Sequence, residues 1–590
     1  MLTPRITSPV MRVLACIIAV VATTPAGATP GDLDISFANG GILTQDLAGG
    51  DDFGAAVVIQ ADGKIIIAGP GSDGSKPNFS LARFAANGTL DSTFNPGGIT
   101  PGIQSQAVGV CPCGAQAMAL QSDGKILVAG YAGNGTDLDF AVARYNTDGT
   151  LDTGNFSVLG NIQGVILIPI GSGTDQAEAL ALKANGSVVV AGFSDNGAND
   201  DFALAQINKD GILDALLFGT SGITTTDLSG ADDKAFAAAI QPDGKIVLAG
   251  YATNADTDFA LARYTSSGAL DTTFNPGGAK PGTVTTDFGA GNDVAQTIVI
   301  QRDGKIVVAG SAGDITGSNF AVARYNSDGT LDTTFNQSGA KPGTMTTDFA
   351  GGTDKAYAVA IQPDGKIVVA GYATRNSRSD FAMARYNIDG TPDPTFNPGS
   401  SPPGTLVTPI GASASTAKAL ALQPDGALVL AGYAYNGTDN DFAAARYAAV
   451  DTAWGLTPDT FTFTDIGPVV APGEVETSNT ITLGGLGANV YVPVFVTGGE
   501  YAIGGSTAYT SQPGWVQNGD TVNVRHTAVT GDNNTTLTVG GLMVPNNNMV
   551  ATGTTVSDTF SSTALGSSGG GSIGILSLAL LVMGLYARRR

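Results

Sequence analysis

The sequence predicts an all-β fold, a seven-bladed β-propeller of four-stranded blades followed by a β-sandwich, and three observations carry that prediction. The first is a phrase that recurs seven times between Asp62 and Gly432: an Asp-Gly-Lys hairpin, an apolar run ending Ala-Gly, a polar spacer, then Phe-Ala-x-Ala-Arg-Tyr or a near variant. The second is its period, since the turn glycines Gly63, Gly124, Gly186, Gly244, Gly304, Gly365 and Gly426 stand 61, 62, 58, 60, 61 and 61 residues apart. The third is that each period holds four β-rich segments. Fixed self-similarity of this kind points to a propeller or a solenoid.

The fifth unit shows the internal order: 283–288, 294–301, 305–312 and 319–325, separated by Gly, Asp, Asn or Pro. The link Arg302-Asp303-Gly304, elsewhere Pro242-Asp243-Gly244 or Pro363-Asp364-Gly365, suits a tight hairpin in which glycine takes the positive φ. The second and third strands therefore pair antiparallel. The run 305–310, Lys-Ile-Val-Val-Ala-Gly, is apolar without alternation, as in a strand covered on both faces. The fourth strand places Phe320, Val322 and Arg324 on one face and Ala321, Ala323 and Tyr325 on the other, so the bulky face of one sheet can pack on the small face of the next. Units begin at a Leu-Asp pair, first Leu33-Asp34, and run to Asp451. A closed ring protects sheet edges, whereas open solenoid coils usually repeat at roughly 20 to 30 residues. A strand near residues 42–46 is a candidate to join the last blade.

The units resemble the delta-60 repeats of bacterial β-propeller proteins, on Gln362 to Tyr372, Gln-Pro-Asp-Gly-Lys-Ile-Val-Val-Ala-Gly-Tyr, and on Asp380 to Tyr386, Asp-Phe-Ala-Met-Ala-Arg-Tyr. The third unit departs, with Asn185-Gly186-Ser187 and Gln206, as does the seventh, with Ala427 in place of lysine. The resemblance implies the fold and brings no catalytic residues with it.

Residues 1–28 read as a signal peptide with a helical apolar stretch from Val13 to Ala22, behind Arg5 and Arg12, and cleavage after Ala28. Residues 454–560 alternate Thr, Val, Asn and Gly without the Asp-Gly-Lys phrase and read as a β-sandwich. They resemble the immunoglobulin-like modules that precede sorting tails of bacterial surface proteins. Residues 561–572 read as a flexible Gly/Ser linker. Residues 573–590 hold a short hydrophobic helix ended by Arg588, Arg589 and Arg590, brief for a span that needs about 20 apolar residues. With Gly569, Gly570 and Gly571 ahead of it, this segment resembles a GlyGly-CTERM sorting tail. That resemblance implies export machinery, removal by a rhomboid-type protease and a Gram-negative cell-surface or extracellular location, or else a retained membrane anchor.

The chain carries 51 acidic and 28 basic side chains, a formal charge of −23, or −28 without Arg5, Arg12 and the three terminal arginines. Nucleic acid is excluded as a partner because it needs a basic footprint. The 82 glycines and 28 prolines amount to about 19% of 590 residues and belong to turns rather than disorder.

Chemistry is confined to the variable loops, which emerge on one face while the Asp-Gly hairpins emerge on the other. They carry Asp51, Asp52, Asp137, Asp232, Asp233, Asp256, Asp293, Asp314, Asp354 and Asp439, an acidic rim. Asp51, Asp52, Asp232, Asp233, Asp293 and Asp354 are the candidate metal ligands, with Ca²⁺ the candidate ion, since it takes six to eight oxygens; a solvated surface with Asx turns is the plainer expectation. The segment Asn146 to Asp152 lacks the closing Glu of a calcium loop and reads as a turn. Arg83, Arg144, Arg263, Arg324, Arg385 and Arg446 read as hydrogen-bond donors linking blades. His526 is the single histidine and shares a strand face with Val522 and Val524, which argues against multi-histidine zinc sites and a Ser-His-Asp triad. Cys111 and Cys113, set as Cys-Pro-Cys, are a candidate disulfide.

No catalytic residue and no required cofactor is assigned. The expected function is that of an exported, surface-displayed or released interaction or adhesion protein that uses its loop face on a glycan or protein ligand. The alternatives are a secreted propeller hydrolase or lyase acting on glycans or esters, and a calcium-stabilised envelope scaffold.

Overall fold

The computed structural model describes residues 29–564, apart from 48, 73–75, 159–161, 184, 314–316, 350, 424, 449–458, 465–472, 487–490, 508, 511–513, 530 and 545–547. The signal peptide with Ala28, the sorting segment with Gly569 to Gly571 and Arg588 to Arg590, and Asp314 lie outside the described residues. Among those residues no helix is long and apolar enough to cross a membrane.

Seven four-stranded antiparallel sheets form the first part of the chain. In blade 5 they are Asp293–Ile300, Ile306–Gly313, Ser318–Tyr325 and Thr344–Thr347, in that spatial order. The strands sit where the sequence places them, but their grouping is shifted by one: the first strand of each sequence unit pairs with the fourth strand of the unit before it. Thr283–Thr286 is the outer strand of blade 4, not part of blade 5. The hairpin explains the shift, because the Asp-Gly-Lys turn joins the innermost two strands and the Leu-Asp turn leads to the outermost.

This phase decides how the ring closes. Ile42–Gln45 has no preceding blade in sequence and instead pairs antiparallel with Asn440–Tyr447 of the last blade, Ile42 opposite Ala445 and Gln45 opposite Phe442. Leu33 bridges Tyr447 just as Leu90 bridges Phe84 and Leu151 bridges Tyr145. Asp34 accepts from Arg446 at 3.0 Å, the same pairing that Asp91 makes with Arg83. Phe37, Leu43 and Leu47 bury themselves among Val57, Ile59, Phe442 and Ala444. The repeat pattern thus runs through the seam without interruption, and the innermost strands abut one another around a closed ring.

Blade-to-blade packing follows the two-faced fourth strand. Phe320 and Val322 of blade 5 pack with Ala382 and Ala384 of blade 6, while Ala321 and Ala323 face Phe259 and Leu261 of blade 4. Bulky side chains on one sheet fill the space left by alanines on its neighbour, which brings the sheets together at near-crystalline density.

The recurrent Ala-Gly has a separate cause. Six of the innermost strands carry a bulge at one register, between Ala115 and Ala117, Ala177 and Ala179, Ala235 and Ala237, Ala295 and Thr297, Ala356 and Ala358, and Ala417 and Ala419. The bulge pushes a carbonyl toward the second strand, where a Cβ on Gly371 would sit 1.9 Å from the Lys355 oxygen and one on Gly310 2.0 Å from that of Val294. Only glycine fits beneath it.

The second part of the chain forms two further four-stranded sheets, one ordered Val475–Thr477, Thr521–Thr527, Ile481–Thr482 with Glu500–Ile503 also on Thr521–Thr527, the other Gly514–Gln517, Tyr491–Thr497, Gly531–Val544, Asn548–Ala564. Val492, Val494, Val516, Val522, Val524, Leu537, Val539 and Phe560, from both sheets, are buried in one apolar cluster. Ser561 to Ala564, expected as the start of a linker, end a strand opposite Gly531 to Asn534, since Ser and Thr accept a β-partner when one is supplied.

Gly371→Ala is expected to cost about 3 kcal/mol through overpacking, read as a lowered urea midpoint, whereas Gly97→Ala, whose Cβ meets nothing within 4 Å, leaves the midpoint unchanged.

Candidate functional site at the propeller axis

Most of the recurrent polar residues are consumed by the architecture. Arg83, Arg144, Arg263 and Arg324 each pair with the aspartate eight residues on, at 2.7 to 2.9 Å, and donate to a turn carbonyl of the next unit, Thr147, Lys209, Ser327 and Ile388. Their guanidinium planes cover Phe94, Phe156, Phe274 and Phe335 at 4.6 to 4.7 Å. Arg385 pairs with Asp393 at 2.8 Å over Phe396. The hairpin lysines Lys125 and Lys305 reach the same aspartates, Asp152 and Asp332, at 2.6 and 2.8 Å. The arginines are therefore blade links, as the sequence suggests.

The third unit keeps the link by a substitution that sequence comparison of units does not show. Gln206 stands where the arginine would be, and Lys183 of the inner hairpin hydrogen-bonds Gln206, donates to the Ser266 carbonyl of the next unit at 2.7 Å, and lies 5.2 Å from the Phe218 ring. In the seventh unit, where Ala427 replaces lysine, Arg446 reaches Asp425 at 2.6 Å.

The loop-face carboxylates divide into two kinds. Asp52, Asp233, Asp293 and Asp354 are fully buried and occupy one repeat position, at or just ahead of the inner strand. Each accepts backbone N–H groups that fold the loop over it: Leu47 and Ser72 on Asp52, Leu228, Ser229 and Thr253 on Asp233, Phe288 and Gly313 on Asp293, Phe349 and Thr374 on Asp354. Asp51 accepts from Asn440 and Asp232 from the Asp200 N–H, both near the surface. Among the described residues, three groups of carboxylates that could hold a cation bring oxygens within 4.8 Å of one another: Asp46, Asp52 and Asp441; Asp201, Asp227 and Asp233; Asp258, Asp287 and Asp293. Asp51, Asp232 and Asp354 belong to none of them. Sequence reasoning missed Asp46, Asp227 and Asp287, each six residues ahead of the buried aspartate on the same loop, and Asp441, Asp201 and Asp258, which come from the neighbouring blade.

Burial raises Asp52 to about 7 and Asp293 to about 6, with the charges of Asp46 and Asp441 on the one and of Asp258 and Asp287 on the other adding to it. In the blade links burial works the same way on Asp91 and Asp271, but hydrogen bonds from Thr93 and Thr273 and the charges of Arg83 and Arg263 outweigh it and hold both at about 2.

The turn at Asn146 to Asp152 is structural: the Thr150 N–H and hydroxyl both donate to Asp148 Oδ1, at 3.0 and 2.6 Å. His526 is buried, hydrogen-bonded to Thr535 at 2.9 Å and packed on Phe560. Cys113 is fully buried and in a disulfide; the side chain of Cys111 lies outside the described residues. A cleft of about 490 Å³ on the hairpin face, between blades 1 and 2, is lined by Gln60, Lys64, Arg83 and Gln121, all repeat residues.

What the architecture leaves over is on the axis. The bulged residue of six inner strands is the middle of an Ala-x-Ala triplet or its equivalent, and x is Gln116, Glu178, Phe236, Gln296, Tyr357 and Lys418, with Ala55 at the corresponding place just ahead of the first inner strand. All seven are half-buried, five of them between two buried neighbours. A bulge re-aims the side chain it carries, and here side chains from separate blades meet. Lys418 Nζ of blade 7 lies 3.4 Å from the ring centroid of Tyr357 of blade 6, and Gln116 of blade 2 hydrogen-bonds Glu178 of blade 3. Glu178 and Lys418, three blades apart, feel each other's charge. Behind them Tyr357 stacks on Tyr372 at 6.2 Å, and Phe236 lies 5.9 Å from Tyr251. Burial raises Glu178 to about 7, against the pull of Lys418, and draws Lys418 down to about 8, against that of Glu178. The signal for this set was in the sequence: x changes chemistry from unit to unit inside a strand whose flanking residues are mostly alanine.

Seven segments of the chain, residues 60–94, 121–154, 183–216, 241–274, 301–335, 362–396 and 423–452, match the family model described as Domain of unknown function (DUF5122) beta-propeller. The chain is a β-propeller repeat protein. No curated protein matches it. Among solved structures it is similar to a catalytically inactive virginiamycin B lyase from Staphylococcus aureus with quinupristin, at 10% identity over 68% of this chain and 98% of that one, TM-score 0.40. It is similar to polysaccharide lyase Uly1 at 11% identity, over 68% and 90%, TM-score 0.40. A third likeness is to the β-propeller domain of the Trilobed protease from Pyrococcus furiosus, at 9% identity over 69% and 97%, TM-score 0.34. Likenesses this distant carry nothing about activity.

Two outcomes are expected. Arg324→Ala leaves the buried Asp332 with Lys305 as its one cation partner, beside the Thr334 N–H and hydroxyl, and lowers stability by about 3 kcal/mol, measured by urea unfolding. Asp52, Asp293 and Glu178 have folded pKa values above their unfolded ones, so their contribution is complete below about pH 4 and lost as pH rises through 6 to 7. Asp91 and Asp271 contribute above about pH 4 and lose it as pH falls toward 2. The melting temperature therefore rises from pH 7.5 to pH 5 and falls below pH 4; a calorimetric profile flat from 7.5 to 5 contradicts the assignment.

Proposed function

We propose that this is an exported, surface-displayed or released interaction protein, without catalysis, that takes a glycan or protein ligand at the loop face where the axis opens. One observation carries the reading. The recurrent polar side chains are spent on blade links and loop staples, while residues that differ from blade to blade gather on the axis, where convergent polar groups and aromatic walls make a binding site. In this reading the repeats are of the delta-60 kind, the second region is an immunoglobulin-like sandwich that spaces the ring from the envelope, and the chain is exported by its signal peptide and processed at its GlyGly tail by a rhomboid-type protease. The acidic loop face argues against nucleic acid.

A second reading, a propeller hydrolase or lyase, draws on one observation: Glu178 near 7 and Lys418 near 8, beside Tyr357, fall in the range where general acid–base groups operate.

Both are tested by one set of experiments. The mature protein isolated from its producing cells, laid on glycan and protein arrays, is expected to retain a defined ligand, and the same ligands incubated with it in solution are expected to be recovered intact by mass spectrometry. Turnover of a glycan or ester selects the second reading. Silence on both arrays removes the first.

A further inference from the structure

We propose that Asp46, Asp52 and Asp441 hold a Ca²⁺ ion that clasps the ring where it closes, and that Asp227, Asp233 and Asp201 hold a second in the corresponding corner between blades 3 and 4. The inference is independent of any ligand at the axis.

Ring closure makes the first corner. Gln45, the last residue of the closing strand, stands opposite Phe442 of the last blade, so the next pair outward is Asp46 and Asp441, two carboxylates facing each other at the end of the ladder. Asp52, from the loop into blade 1, brings a third oxygen to them. Thr226 stands opposite Phe202 in the same way, which sets Asp227 beside Asp201, and Asp233 completes that group. Like charges directly opposite one another on a sheet are destabilising, and each corner adds a further one.

Two orphaned oxygens show that the corners lack a partner. Asp441 is 8% exposed and Asp201 7%. Oδ2 of each accepts from the loop amide of its own blade, Asn436 at 3.0 Å and Asn196 at 2.8 Å. Oδ1 of each is buried and accepts nothing, so one oxygen is tied back to the loop and the other is left for the corner. Burying a charged group without a partner is costly. Among the described residues none of the six carboxylates is in an ion pair; Lys280 reaches the backbone carbonyl of Asp227 rather than its carboxylate.

The equivalent corner between blades 6 and 7 shows what such a place accepts. Asp380 keeps the strand position, but Pro409 and Ser415 stand where the other two aspartates would be. There the chain supplies its own cation. Arg378 bonds Asp380 at 2.7 Å and the carbonyls of Ala412 and Gly411, on the loop into blade 7, at 3.0 and 3.1 Å. One carboxylate is met by one guanidinium; three converging carboxylates call for a compact divalent ion. In the group of Asp258, Asp287 and Asp293 the charge of Lys341 reaches Asp258, and that corner is left out of the assignment.

Ligand type and spacing select the ion. The oxygens of each trio lie within 4.8 Å of one another, the widest spacing that two ligands of one Ca²⁺ can have at about 2.4 Å each. Carboxylates without thiolate or imidazole favour a hard cation. Water and loop carbonyls complete the six to eight oxygens of Ca²⁺, whereas Mg²⁺ demands a near-ideal octahedron at about 2.1 Å.

The test is Ca²⁺ titration calorimetry and thermal unfolding of the mature protein stripped with EDTA, the state to which the pH profile above applies. Two Ca²⁺ per chain and a raised melting temperature are expected, with Mg²⁺ bound at least tenfold more weakly. Asp46→Asn keeps an oxygen for the Gly49 N–H and is expected to bind one ion fewer, as is Asp227→Asn. Each is expected to melt no lower than the parent in EDTA, which separates loss of an ion from loss of the fold. Hydrogen exchange at Ile42–Gln45 is expected to slow on adding Ca²⁺ to the parent and to Asp227→Asn, but not to Asp46→Asn. Asp123→Asn, on the hairpin face, is expected to change none of these. Absence of Ca²⁺ binding overturns the proposal. So does binding, or a rise in melting temperature, that persists undiminished when Asp46→Asn and Asp227→Asn are combined, since those ions belong to the acidic surface at large. Equal affinity for Mg²⁺ overturns the choice of ion.

Discussion

Ring closure by four residues is the constraint on which the remaining structure depends. Ile42–Gln45 supplies the outer strand of a blade whose other strands lie some four hundred residues later in the chain. Without it the last sheet would carry an open edge and the first would lack its upstream neighbour at Asp34, the partner of Arg446. An antiparallel strand is strong enough for this because its hydrogen bonds are joined by apolar burial, here of Leu43 and Leu47 against Phe442 and Val57. Every radial contact then has a neighbour on both sides, and no blade is terminal.

A closed ring of like units sets a strict economy on polar residues. The recurrent arginine is spent on the architecture: in five blades it is buried with an aspartate and covered by a phenylalanine, and in four of these it also donates to the next unit's turn. The same holds for the buried aspartates beneath the loops. The elevated proton affinity of Asp52 and Asp293, which resembles that of catalytic groups, arises from burial and from carboxylates brought close by the fold, and the work of these buried aspartates is to hold backbone N–H groups. Variation collects where a side chain is turned out of the packed face between sheets. The bulge creates such a place on six inner strands, and the glycine beneath it makes the bulge possible.

Much of this was legible in residues. The period, the four strands of each unit, the Asp-Gly-Lys hairpin and the two-faced fourth strand all follow from local chemistry, and so does the role of the arginines. The phase of the blades was not legible, because Thr283–Thr286 is equally good as a first strand of one sheet or a last strand of the previous one; hydrogen-bond partners decide it. Nor was the rescue of the third blade by Lys183, since a lysine one strand away from the missing arginine looks unrelated until the hairpin folds back. The candidate site divides in the same way. Asp52, Asp233 and Asp293 could be named from loop position, whereas Asp441 and Asp201 join them from a neighbouring blade. The axial set was visible as letters that change within Ala-x-Ala, but nothing in one unit says that x faces its counterparts.

By itself, then, the sequence determined the repeat, the class of fold, the acidic character and the presence of a single histidine, because each depends on local pattern or on composition. Tertiary structure alone decided which strand closes the ring, which aspartates share a corner, and that Glu178, Lys418, Tyr357 and Gln116 converge. The reason is geometric: a period along a chain becomes an angle around an axis only when the ring shuts, and residues about sixty positions apart then become neighbours.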